Sequence, residues 1–163
     1  MKLYRMKKSN IDRKGRGLYA AQDIMEGVRI INYVGKIISN KEVERNPKFD
    51  NSKDIYLFDL NKKVSLDGDY HWNKAKYINH SCNPNCEADG KGLKLWITAI
   101  KNIKKGGELS YDYGFSYCKT DLANFICKCG KTNCCGYIVR EESRWRINKK
   151  FKMSLKKNQR VNR

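Results

Sequence analysis

No stretch of this sequence carries the roughly 20 consecutive apolar residues that a membrane-spanning helix needs. The mean hydropathy of −0.79 agrees, so no membrane partner is expected. The first eight residues, Met1 to Lys8, hold no apolar run of the kind that a secretory signal requires, and no such signal is expected. Acidic residues are scarce: 17 Asp and Glu stand against 35 Lys and Arg, for a formal charge of +18. Such a balance favours nucleic acid or another polyanion as a partner. A lysine-rich proteome would give the same balance, and the sequence leaves both readings open. Paired C-x-x-C knuckles are missing as well, which tells against a plain zinc-ribbon DNA binder. The glycines at Gly15 and Gly17 lack the strand-then-helix setting of a dinucleotide site.

What is present fits one folded domain of 163 residues, 40% of them hydrophobic. With no secretory signal, seven cysteines read as metal ligands and free thiols rather than as a disulfide framework. Short β-rich runs alternate with turns. Strands are expected at Leu3 to Met6, at Val28 to Ile38 with a break at Gly35, at Ile55 to Leu60, at Val64 to Asp67 and at Leu93 to Ile100. Ser39 to Arg45 reads as a short capped helix that ends before Pro47. Between Arg140 and Arg163, ten Lys or Arg stand against two Glu, so this tail supplies about +8. Its interleaved Trp, Ile, Phe, Met and Leu suit a surface helix or a DNA-contacting extension; a solvated tail suits the same composition.

Three stretches concentrate chemistry. Tyr77 to Cys86 packs an amide, an imidazole and two thiols around the polar turn Asn83-Pro84-Asn85. Glu108-Leu109-Ser110-Tyr111-Asp112-Tyr113-Gly114 follows, then Cys127-Lys128-Cys129 and Cys134. In this order and at these spacings they resemble the NHSC loop, the ELxYDY segment and the cysteine-rich post-SET tail of the SET-domain protein lysine methyltransferases. The resemblance spans residues 10 to 139.

That resemblance implies a mostly β fold: several small sheets around a pseudoknot, with short helices and a C-terminal zinc-binding tail. It divides the chain into a SET domain (1–117), a post-SET segment (118–139) and a basic tail (140–163). It implies S-adenosylmethionine as methyl donor and a protein lysine as acceptor, most plausibly in a histone tail. It assigns Tyr113 as the main catalytic tyrosine, Tyr111 as the position that limits how many methyl groups fit, and Tyr56 as a tyrosine facing the transfer site. A Tyr at 111 implies mono- or dimethylation. Gly15, Arg16 and Gly17 would grip the amino-acid end of the cofactor, and Asn79 and His80 would hold it around the adenine, with Tyr56 and Lys76 close by. Taken alone, His80 reads rather as a buried structural histidine, and its place in Asn-His-Ser-Cys turns the reading to the cofactor. Cys127, Cys129 and Cys134 would bind one zinc ion, with Cys82 as fourth ligand; Cys135, beside a ligand, blurs the assignment. Asn32, Trp72 and Lys76 depart from the family pattern, and Lys76 replaces a planar guanidinium with a point charge.

The expected setting is a monomer in the nucleus, docked on DNA or nucleosomes through its basic surface. If the chain is a microbial effector, the target becomes a non-histone or host protein, and the place the cytoplasm or the host nucleus. A degenerate SET fold that binds without turnover is the rival outside the enzyme class.

Overall fold

The computed structural model describes residues 2–13, 15–50, 56–120 and 122–147. Ten short strands, one α-helix and a few 3₁₀ turns make up these residues. In chain order the strands are β1 (Tyr4–Lys8), β2 (Arg16–Ala20), β3 (Arg29–Tyr33), β4 (Lys36–Ser39), β5 (Leu57–Asp59), β6 (Val64–Asp67), β7 (Asn79–His80), β8 (Cys86–Lys91), β9 (Lys94–Ala99) and β10 (Ser110–Tyr111). They form four small sheets, as the sequence led us to expect. β1 pairs antiparallel with β2, β9 lies between β3 and β8, β6 lies between β4 and β5, and β10 runs parallel to β7.

Local chemistry accounts for several of these boundaries. The β-branched run from Val28 splits into β3 and β4 around Gly35, whose Cα lies so close to the Asp67 carbonyl that any Cβ would collide with it. Helix α1 (Asn40–Arg45) starts where the Ser39 hydroxyl accepts from the Glu42 amide and stops before Pro47. The strand read at Ile55 to Leu60 begins at Leu57; Ile55 lies outside the described residues. β2 and β8 were not foreseen. Gly17 inside β2 and Gly15 before it mask its β character, and Asp89-Gly90 masks that of β8. Among the described residues no helix is long and apolar enough to cross a membrane.

The sheets close over one core, in which Leu18, Ile78, Ile97 and Leu109 have at most 1% of their surface exposed. Its centre is the chain crossing that brings residues 108–113 against residues 78–85. Leu109 N–H donates to the Leu18 carbonyl, Ser81 N–H to Tyr111 and Asn85 N–H to Ser110. The Asn85 side chain binds on both sides of this segment: its amide donates to the Glu108 carbonyl, and its oxygen accepts from Ser110 N–H. Residues distant in sequence thus converge on one place, and that place is the site.

Candidate active site

A cavity of about 560 Å³ opens beside the crossing. One end is polar, lined by Asp12, Gly15, Arg16, Lys76, Asn79, His80 and Lys128; the other is walled by aromatic rings.

The polar end is held by a half-buried hydrogen-bond network around Glu108. Its carboxylate accepts from the Ser9 and Tyr19 hydroxyls, from Asn10 N–H and from the Asn79 amide. Asn79 also donates to Ser9 Oγ (3.0 Å) and to the Arg16 carbonyl (3.1 Å). Its side-chain amide therefore ties the 9–17 loop to the crossing while the residue borders the cavity. Gly15 and Arg16 line the cavity, and Gly17 does not. Gly17 has a separate reason to be glycine, because a Cβ there would run into the Glu108 carboxylate.

At the aromatic end each ring leans on the next. Tyr33 meets Phe58 edge-on at 4.7 Å, Phe58 stacks at 6.0 Å on Tyr111, and Tyr111 lies 4.9 Å from Tyr113. Phe115 and then Phe125 continue the wall at 5.7 and 5.0 Å. Tyr56 also lines the cavity; its carbonyl accepts from Tyr33 Oη and its ring lies 5.2 Å from Lys76 Nζ. Tyr33 is buried in this wall. Gly68 lies against the Tyr33 ring so closely that a Cβ would clash with it. Burial raises the pKa of both Tyr33 and Tyr111, so both hydroxyls stay protonated.

Tyr113 and His80 join the two ends. Tyr113 Oη donates to the Ile78 carbonyl at 2.9 Å, and Tyr113 N–H donates to His80 Nδ1 at 3.2 Å. Accepting at Nδ1 places the imidazole proton on Nε2, which points at Cys82 Sγ, 3.7 Å away. Burial, and after it the Arg144 guanidinium, lowers the His80 pKa to about 4. The ring is neutral, so its 3.7 Å approach to Asp112 is not an ion pair. His80 thus borders the cavity and is also a buried structural link, which combines the two sequence readings.

The sulfurs of Cys82, Cys127, Cys129 and Cys134 all lie within 4.8 Å of one another, and none of these cysteines is in a disulfide. Cys82 Sγ is 3.8 Å from Cys127 and 3.9 Å from Cys134. A tetrahedron with Zn–S bonds of about 2.3 Å sets its sulfurs about 3.8 Å apart. Burial pushes the Cys82 thiol up to about 12 and the Cys127 thiol higher, so these sulfurs ionise together only around a cation. Cys129 is lowered to about 7: burial raises it, and the N–H groups of Cys82 and Lys131 together with the Cys127 and Cys134 thiols outweigh that. The geometry and the donor set both fit zinc. Cys135 stands outside the quartet, its thiol donating to the Tyr137 carbonyl.

The SET domain family model matches residues 15–114, more than half of the chain. The chain belongs to the SET-domain family. It is 39% identical over 127 residues to human histone-lysine N-methyltransferase 2D and, to the same degree, to the trr histone-lysine N-methyltransferase of Drosophila melanogaster. It is 32% identical over 132 residues to histone-lysine N-methyltransferase ASHR3 of Arabidopsis thaliana. These matches cover 74 to 76% of this chain but only 2%, 5% and 26% of the respective relatives.

Within this SET domain, two of the departures from the family pattern, Asn32 and Trp72, do not line the cavity, and the third, Lys76, does. Asn32 faces Trp96 across β3 and β9, and its buried Oδ1 finds no partner among the described residues. Lys76 lines the cavity and pairs with Asp69 at 3.0 Å. Trp72 is 52% exposed, stacks on Tyr70 at 4.3 Å and does not line the cavity. Trp72→Gly is therefore expected to change the affinity for a ligand held in the cavity by less than about twofold, measured by titration calorimetry, because an exposed side chain away from the pocket contributes little to binding. A larger change would place the indole in the pocket.

Proposed function

We propose that this chain is an S-adenosylmethionine-dependent protein-lysine N-methyltransferase that acts on a histone tail lysine. The observation that carries the proposal is one cavity lined both by polar side chains and by aromatic rings, with His80 and Tyr113 in contact at 5.4 Å where the two kinds of lining adjoin.

Bound S-adenosylmethionine would supply an activated methyl group on a sulfonium centre. Gly15, Arg16, Lys76, Asn79 and His80 bind the donor at the polar end. The rings of Tyr33, Tyr56, Phe58, Tyr111 and Tyr113 enclose the acceptor side chain. Among these rings an ammonium loses hydration, which favours the neutral amine. The rings also tolerate the positive charge beside them. With its own proton committed to the Ile78 carbonyl, the Tyr113 oxygen turns lone pairs toward the reacting methyl. The methyl group of the bound donor would pass to the neutral amine held among these rings, and the alkylammonium product would give up a proton to water. In-line alignment carries most of the acceleration, and no general base need touch the amine.

The Cys82, Cys127, Cys129 and Cys134 set would hold one zinc ion, which fastens the post-SET segment over the cavity. The charge of +18 supports docking on DNA or nucleosomes in the nucleus, with the enzyme as a monomer.

The test is transfer of label from S-adenosylmethionine to nucleosomes and to free core histones, with mass spectrometry of the product. Label in a histone lysine is expected, and a signal stronger on nucleosomes supports docking. A chain that binds no cofactor is not a methyltransferase. Tyr111 is 5% exposed and its hydroxyl limits the space near the acceptor nitrogen. The wild type is expected to stop at one or two methyl groups, and Tyr111→Phe to add at least one more on the same lysine. Unchanged product states in the variant would remove Tyr111 from that role.

A further inference from the structure

Arg144 lies beyond the last zinc-binding cysteine, in the stretch whose composition reads as a basic tail. It is nevertheless 7% exposed. Nε donates to the Val139 carbonyl (3.0 Å), Nη1 to the Cys82 carbonyl (2.8 Å) and Nη2 to Asp112 Oδ2. Burying a guanidinium is costly unless its N–H fork finds matched acceptors. Here each nitrogen has one, and each acceptor belongs to a different part of the site. Cys82 carries the sulfur that joins the body to the tail. Asp112 stands between Tyr111 and Tyr113. Val139 closes the zinc-binding segment, and with Ser143 and Ile147 it is buried. Asp112 is fixed further: Oδ1 accepts from Gly114 N–H, and Oδ2 also accepts from Glu141 N–H.

We propose that Arg144 is a positioning residue for methyl transfer. It sets Asp112 relative to Cys82, and so places the next residue, Tyr113, whose N–H is on His80 and whose hydroxyl is on the Ile78 carbonyl. Arg144 does not line the cavity and acts only through its neighbours. The proposal rests on the methyltransferase reading above. It makes residues 140–147 a working part of the site, whatever the rest of the tail does.

The test compares full-length Arg144→Ala, Arg144→Lys and Asp112→Asn with the double variant of Arg144→Ala and Asp112→Asn. The readouts are kcat and KM on free core histones, S-adenosylmethionine affinity, zinc content and amide exchange at Tyr113. The expected result for Arg144→Ala is retained zinc, cofactor affinity within about threefold and a kcat lower by about 30-fold, the scale of a small misplacement of reacting groups. An ammonium cannot span three acceptors, so Arg144→Lys should not restore the rate. The double variant should be no worse than the worse single one. An unchanged kcat, full rescue by Lys, additive losses or loss of zinc alongside the rate would each overturn the proposal. If Arg144→Ala fails to fold, the near-isosteric Asp112→Asn carries the test by the same kcat and zinc readouts. A wild type that transfers no methyl group overturns the methyltransferase reading instead. The clamp is then judged by amide exchange, and unchanged protection of Tyr113 in Arg144→Ala would overturn it.

Discussion

Cys82→Ser is expected to release the metal and to lower methyl transfer by at least about 100-fold, since a site of this kind binds its ion only with the full ligand set in place. Cys127, Cys129 and Cys134 are close in sequence and could keep one another's company in a detached loop. Cys82 alone of the four comes from the body of the domain, and its sulfur makes the tail a wall of the cavity. Among the described residues the other attachments include Asn133 and Arg144 on the Cys82 carbonyl, Arg144 and Glu141 N–H on Asp112, Arg140 N–H on the Phe115 carbonyl, Phe125 against Phe115, and the exposed Lys128–Asp12 pair at 3.3 Å. An exposed pair of that kind contributes at most about 1 kcal/mol. Without the metal, Phe125, Ile126 and Lys128 leave the cavity wall and water enters the aromatic end. Metal analysis and transfer rates on Cys82→Ser, beside the exposed Cys118→Ser as control and a chelated wild type, decide the matter. Full zinc content in Cys82→Ser would overturn this assignment.

The cysteine cluster was legible because a tetrahedral ion demands thiolates at short reach, and C-x-C-x4-C supplies three of them. The fourth came only from a resemblance, since nothing local links Cys82 to residues 45 to 52 positions away. The helix from Asn40 and the strand at Val64–Asp67 followed from capping and β-branching, which act over a few residues. Three things did not follow. Gly17 reads as a ligand-approach glycine, but the Glu108 carboxylate against it appears only when the chain crosses itself. The Asn79 amide serves that carboxylate and the Arg16 carbonyl, a use that sequence spacing cannot show. Arg144 is one arginine among many in a basic stretch, and only Val139, Ser143 and Ile147 turning inward with it mark it as different. Composition averages over such a residue; packing singles it out.

Tyr113→Phe is expected to lower kcat by about 100- to 1,000-fold, the usual cost of removing one preorganised polar group from a reacting centre. KM for the protein substrate and affinity for the cofactor should change little. The phenyl ring keeps its place, because its neighbours Tyr111, His80 and Phe115 at 4.9, 5.4 and 5.7 Å are untouched. The backbone N–H bond to His80 is also untouched, so the crossing and the metal-bearing loop stay assembled. What disappears is one oxygen, together with the 2.9 Å bond that aims it. The Ile78 carbonyl is left without that donor in a residue 1% exposed, so a loss of about 1–3 kcal/mol in stability should accompany the kinetic effect. Thermal unfolding reads the first quantity and single-turnover transfer the second. A fall in rate with unchanged unfolding would mean that water replaces the hydroxyl on Ile78. A variant as fast as the wild type would show that the methyl is aligned without Tyr113 and would return the aromatic end to the role of a passive channel.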